Sequence, residues 1–252
     1  MNLLKRYIRE ALAENARIQE ANEYSWRVST KKKMLLDKEG MEKSDKDNVE
    51  SFLKSMSLME NFKPVLSMLP DGVYKFPIVP PPPRFSKEEM SDLLSVIEQH
   101  KQNVVPSSLQ EKCDTDIDGL FEDYLSSQGI VYNVSYYSKL KKDLVPVIRS
   151  LKSIYDRPRP QEIALMYGIP FRDDDLDTAK SPSYPSGHTI QGYVLALLLS
   201  EQFPEERENL LNIAEMIGQS RIDRGVHFPS DLSFGRMIAY LMVEEILDES
   251  SS

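Results

Sequence analysis

A chain of 252 residues, 40% hydrophobic and 28% charged, has the composition of a soluble globular protein. It can bury a sizeable core as one large domain or as one domain with an extension. Its net charge of -9 and pI near 5.0 argue against a general nucleic-acid or acidic-membrane binder, so any anion site must concentrate positive charge locally. A single cysteine, Cys113, excludes an intramolecular disulfide and removes the need for an oxidising compartment.

The N-terminus interleaves charges with apolar residues and lacks the apolar run and cleavage site of a secretory signal. The longest apolar run, Tyr193 to Leu199, is far short of the roughly 20 residues a membrane span needs. A cytoplasmic protein without an integral membrane segment is therefore expected. Residues 3–22 place Leu4, Ile8, Ala11 and Leu12 near helical spacing, an amphipathic helix expected to dock on its own domain rather than on a membrane or partner. Residues 28–50 are rich in Lys, Asp, Glu and Ser and read as a solvated loop. Residues 49–69 read as a helix with Phe52, Leu53, Met56 and Leu58 inward.

The tract from Phe76 to Pro83 holds five prolines and must be extended. Ser86 and Glu89 then form a capping-box pattern that starts a helix running to about His100. The boundary is placed here, with an N-terminal helical extension at 1–76 and a catalytic helical domain at 77–252. His100 stands at a helix end, where contact with the dipole explains it. The run Asp114, Asp116, Asp118, Gly119 matches the first half of a calcium loop, but the twelfth position is Leu125 rather than a bidentate Glu. An acidic turn ahead of a helix at Leu120–Leu125 is the preferred reading.

A helical pattern from Tyr136 to Ile154 is expected to be stopped by Pro158 and Pro160. A short helix at 161–168 follows, then a polar loop through Arg172–Asp177 expected to overhang the site. Further helices are predicted after His188, ending at Phe203-Pro204, at 205–223, and from Asp231 to Leu247. Strand signals are sparse, so the fold class expected is all-α, a multi-helix bundle.

Three segments carry chemistry. Lys152 and Arg159 lie in the first, Pro185-Ser186-Gly187-His188 is the second, and Arg221, His227 and Asp231 form the third. Three cations suit a tetrahedral oxyanion, and a guanidinium can hold two of its oxygens at once. The turn before the apolar helix would offer unpaired N–H groups, a close backbone approach at Gly187, and the Ser186 hydroxyl. His227 is the candidate nucleophile toward phosphorus, with Asp231 fixing its tautomer, and His188 is the candidate general acid. Taken singly, each of these residues has an ordinary explanation as a solvated cation, a surface ion pair or a turn. Their order and spacing together point to phosphate chemistry, with a bell-shaped pH profile on the acid to neutral side.

The spacings Lys152-x6-Arg159-Pro160, Pro185-Ser186-Gly187-His188 and Ser220-Arg221-x5-His227-x3-Asp231 resemble the three-part motif of the type 2 phosphatidic acid phosphatase and vanadium haloperoxidase superfamily. Within it the chain is most similar to bacterial class A non-specific acid phosphatases. The proline tract, the Tyr155-x-Arg157-x-Arg159-Pro160 ending, the run Ser183 to Thr189 and Gly218-Gln219-Ser220-Arg221 carry that likeness over roughly residues 77–247. The resemblance implies an acid phosphatase-like helical bundle and metal-independent hydrolysis of phosphomonoesters through a phosphohistidine. It also implies phosphate binding by Lys152, Arg159, Ser186, Gly187, His188 and Arg221. No cofactor or metal is expected, and vanadate is expected to inhibit.

Two departures stand out: Pro158 replaces the usual aliphatic residue between the arginines, and class A enzymes are exported. The expected partner is a small phosphorylated substrate, with no nucleic acid, and self-association is left open. Alternatives are a vanadium-dependent haloperoxidase in which vanadate is the cofactor, a peripheral lipid phosphate phosphatase, and an interaction protein with a degenerate site.

Overall fold

The computed structural model describes residues 79–249, and within them every regular element is helical. By its contacts the chain divides into two units, and the described residues from Pro81 onward belong to the second. The expected helices at 3–22 and 49–69 and the loop at 28–50 lie outside the described residues. The helices of the second unit are α1 (Lys87–Gln102), α2 (Ser107–Thr115), α3 (Ile117–Ser127), α4 (Val134–Tyr155), α5 (Pro160–Met166), α6 (Gly187–Gln202), α7 (Arg207–Asp223) and α8 (Pro229–Glu249). Among the described residues no helix is long and apolar enough to cross a membrane.

α6 is the centre. From Tyr193 to Ser200 every residue is buried, because an apolar run without a polar face must be covered on all sides. α7 and α8 cover it most extensively. A Cβ on Gly192 would stand 3.2 Å from Ile217 Cδ1 and 3.6 Å from Ala214 Cα, so glycine sets how near α7 approaches. α4 covers another flank with an amphipathic stripe of Leu140, Leu144, Val147, Ile148 and Leu151. Lys152 continues that stripe and is buried with it.

The start of α1 is built as the capping pattern requires on one side. The Ser86 hydroxyl accepts from the N–H of Glu89 at 3.0 Å. The Glu89 carboxylate, however, accepts from the N–H of Phe85 at 2.8 Å, one residue earlier than a capping box has it. At the other end His100 contacts the C-terminus of a different helix from its own: Nδ1 lies 2.6 Å from the carbonyl of Asp223, the last residue of α7.

Two expectations need correction. The acidic run is no turn before a helix at Leu120: Asp114 lies in α2, and Asp116 alone breaks α2 from α3, its carboxylate accepting from Gly119 N–H at 3.0 Å. Asp118 turns to Lys141 at 2.6 Å and to the Tyr132 hydroxyl at 2.9 Å, so the three carboxylates do separate work. Finally, α4 ends before Pro158 is reached, at Asp156, whose left-handed conformation (φ 43°) closes the helix by an N–H bond to Lys152 O.

Candidate active site

Tight local turns bring the three motif segments together. After α4 closes at Asp156, Pro160 opens α5 at its first position, where a missing N–H costs nothing. Arg159 is left as the N-cap in extended backbone, its guanidinium turned back toward the end of α7. Ser186 caps α6, its hydroxyl accepting from the hydroxyl of Thr189 at 2.9 Å. Its own N–H bonds the carbonyl of Asp231 at 3.1 Å, which ties the second segment to the third.

A cavity of about 460 Å³ opens where these pieces meet, and Lys152, Arg159, Gly187, His188 and His227 all line it. Val145, Ile148 and Arg149 of α4 form one wall, and Asp177, Thr178, Lys180 and Ser181 form the rim. The loop expected to overhang the site therefore does so through its C-terminal end. Ser186, Arg221 and Asp231 are fully buried behind these residues.

The hydrogen bonds fix the tautomer of His227. Nδ1 lies 2.9 Å from Asp231 Oδ2, a carboxylate oxygen that can only accept, so Nδ1 carries the hydrogen. Nε2 lies 3.0 Å from Arg159 Nη1, which can only donate, so Nε2 presents its lone pair. Burial, followed by the charges of Arg159, Lys152 and Arg221, holds this imidazole well below its ordinary pKa. His227 is thus neutral, with a bare nitrogen on the cavity side. Asp231 also accepts from Phe228 N–H at 2.9 Å through Oδ2 and from Arg157 at 2.6 Å through Oδ1.

His188 sits in the first turn of α6. Its Nε2 donates to the main-chain carbonyl of Asp114 at 3.0 Å, which leaves Nδ1 as the atom able to take or give a further proton. Burial, and next the charge of Arg221, push its pKa down to about 3 in the ligand-free protein, against the opposing pull of Asp114.

Lys152 and Arg159 are held by main-chain carbonyls, whereas Arg221 is paired with a carboxylate. Lys152 Nζ donates to the carbonyls of Pro182 and, at 3.4 Å, Ser183. Burial, and then the charge of Arg159, lower it to about 7. Arg159 donates from Nε to Ser181 O at 2.8 Å and from Nη1 to Val226 O at 2.6 Å, and burial lowers it to about 10. Arg221 is 0% exposed; its Nη1 bonds the Asp114 carboxylate, Nη2 bonds Thr178 at 3.0 Å, and Nε has no hydrogen-bond partner. Two desolvated cations without carboxylate partners, Lys152 and Arg159, with the Asp114-paired Arg221 behind them, form a cradle for a multiply charged anion.

Two participants were not assigned from the sequence. Asp114 was weighed only as part of a calcium loop, yet it contacts both Arg221 and His188. Arg157 stands inside the quoted Tyr155–Pro160 run, where its spacing gave no role, and it pairs with Asp231 and Asp92.

Residues 132–247 match the family model described as the PAP2 superfamily. A non-specific acid phosphatase of Salmonella typhimurium is 42% identical over 90 residues, 35% of each chain. One from Providencia stuartii is 40% identical over 94 residues, 36% of each, and an acid phosphatase of Zymomonas mobilis is 28% identical over 136 residues, 51% of each. The chain thus spans between a third and a half of the length of these relatives. A solved structure, the first transmembrane PAP2 type phosphatidylglycerolphosphate phosphatase from Bacillus subtilis, overlaps 66% of this chain and 88% of its own at 18% identity, with a TM-score of 0.43. All three motif segments lie inside the stretch that matches the PAP2 superfamily model.

Proposed function

We propose that the protein hydrolyses phosphomonoesters of small molecules through a phosphohistidine formed on His227. The observation that carries this reading is the fixed tautomer of His227, whose bare Nε2 faces a cavity lined by Lys152, Arg159 and the N-terminus of α6. The acid phosphatase relatives support the reaction class.

The phosphoryl group takes the place in front of Nε2, and Arg159 turns from the imidazole to the phosphate oxygens. Lys152, Arg221, the Ser186 hydroxyl and the N–H groups at Gly187 and His188 share the remaining charge, a neutralisation supplied by the protein's own groups without a metal. Nε2 attacks phosphorus in line, and the P–O bond to the leaving group breaks as His188 Nδ1 delivers its proton to the departing oxygen. Water then attacks the phosphohistidine, giving its proton to His188, and the P–N bond breaks to release phosphate and restore neutral His227. His188 must gain its proton when the anion binds, because the ligand's negative charge offsets the cations that hold its pKa down.

The test is rapid quenching with labelled p-nitrophenyl phosphate, with and without a chelator. Acid-labile, base-stable label on the protein, absent in His227→Ala and unaffected by chelation, is expected. Turnover without such label, or turnover retained by His227→Ala, overturns the reading.

A further inference from the structure

Arg157 is only 3% exposed, and both terminal nitrogens of its guanidinium are bonded, while Nε has no hydrogen-bond partner. Nη1 donates to Asp231 Oδ1 at 2.6 Å and to Ser230 Oγ at 2.7 Å, while Nη2 donates to Asp92 Oδ2 at 2.8 Å. The guanidinium lies 3.7 Å over the ring of Phe228, the residue next to His227. Asp92, on α1 and outside the matched stretch of residues 132–247, is itself held by the Ser230 hydroxyl and by Ser230 N–H at 3.3 Å. A continuous chain of contacts therefore runs from the partly buried Asp92 on α1 through the buried Arg157 and Asp231 to His227.

The Asp231 carboxylate can swing about its terminal torsion, which is soft unless both oxygens are engaged. Here Oδ1 is engaged by Arg157, and Oδ2 by the Nδ1–H of His227 and the N–H of Phe228. We infer that Arg157 is a positioning residue for His227: by pinning Oδ1 it directs Oδ2 onto Nδ1, and Asp92 sets where the guanidinium stands. A lysine could supply the charge but not the two-sided fork, nor the flat face that lies on Phe228. In the mechanism above Arg157 touches no reacting atom.

The charges facing this chain fall into two groups. Arg159, Lys152 and His188 from the cavity lining, and the buried Arg221, bear on His227, and Arg157 and Asp92 bear on Asp231. Without the guanidinium, two carboxylates remain behind the imidazole and favour its charged form. Its pKa then rises, and so does the acid limb of any rate that needs it neutral.

The inference rests on His227 being the nucleophile, but the decisive readout does not need turnover. Nitrogen-15 NMR of the histidines in the full chain reports the His227 tautomer in the wild type, Arg157→Met and Arg157→Lys. The wild type is expected to show Nδ1–H alone. Arg157→Met should mix the tautomers and raise the imidazole pKa by about one unit. On p-nitrophenyl phosphate its kcat should fall about 100-fold with KM within about threefold, and the acid limb should move up with the pKa. Arg157→Lys should fall between. Should Arg157→Met not fold, the lysine variant decides. Wild-type tautomer, acid limb and kcat in Arg157→Lys overturn the inference. If the wild type itself hydrolyses no phosphomonoester, the proposed reaction fails while the tautomer measurement still judges the role of Arg157.

Discussion

The main-chain carbonyl of Asp114 accepts from Nε2 of His188 at 3.0 Å, while the carboxylate of the same residue bonds the guanidinium of Arg221. One residue on α2 thus orients the candidate acid and neutralises a fully buried cation that the anion would otherwise have to itself. Burial raises the Asp114 pKa, but Arg221, Thr178 and His188 outweigh it and hold it below its ordinary value. Asp114→Asn keeps the carbonyl and removes the charge. Arg221 is then left unpaired in the interior, which should cost about 3 kcal/mol in urea unfolding. Saturating phosphate should restore most of that loss by supplying the missing negative charge. A variant equally destabilised with and without phosphate would show that Arg221 does not face the anion.

The histidines make stability depend on acidity in a stated direction. His188 is held near 3 in the folded, ligand-free protein and His227 well below its ordinary value, both chiefly by burial. Unfolded, each titrates near about 6.5. As pH falls below that value the unfolded chain takes protons that the folded protein refuses, so stability declines toward pH 3. The slope is about 1.4 kcal/mol per pH unit for each such histidine. Urea midpoints at pH 7, 5.5 and 4.5 measure it, and His188→Asn should reduce it. A flat profile would show that the imidazoles are more solvated than the structure has them.

How much of this was legible in the sequence depends on the range of each contact. The His227–Asp231 pair is four residues apart at the start of a helix, and the Lys152–Arg159 spacing is set by one helix end and one proline. Local rules suffice for both. The helix order was readable because the apolar stripes of α4 and α6 are long and regular. Asp114 meets Arg221 across 107 positions, and Arg157 meets Asp92 across 65. No periodicity reports such pairs, since only the packing of α2 on α7 and of α1 against the α4–α5 turn creates them. The end of α4 at Tyr155 lies one residue from the expected Ile154, but what stops it is not legible: Asp156 takes the left-handed position without a glycine to announce it.

Lys152 should make anion binding sensitive to pH from the alkaline side. Burial and Arg159 lower its pKa to about 7, so the empty site loses a positive charge as pH rises through neutrality. Sulfate is a suitable probe because its own charge stays constant. Its affinity should weaken by up to about tenfold per pH unit above that point, with proton uptake on binding at pH 8. Lys152→Arg should remain charged and show a flat affinity over the same range. Calorimetry in buffers of different ionisation enthalpy decides the matter. Binding without proton uptake would mean that Lys152 does not meet the anion.

Gly187 tests whether the N-terminus of α6 must lie close against α4. A Cβ at this position would stand 3.1 Å from Cγ2 of Ile148 and 3.9 Å from Cε of Lys152. Ile148 is a buried part of the α4 stripe, and its β-branch brings the methyl against this position. Gly187→Ala should therefore push the first turn of α6, with its N–H groups and His188, outward by a few tenths of an ångström while the core of α6 stays in place. A shift of that size at a charged transition state should lower kcat/KM about tenfold, with little change in Tm. Ile148→Leu removes the β-branch that bears the contacting methyl at nearly constant volume, so adding it to Gly187→Ala should recover part of the loss. Steady-state kinetics on p-nitrophenyl phosphate for the two single variants and the double variant give the answer. Recovery in the double variant places the cause in the contact between α4 and α6. A loss that Ile148→Leu leaves untouched would mean instead that the added methyl intrudes on the anion itself.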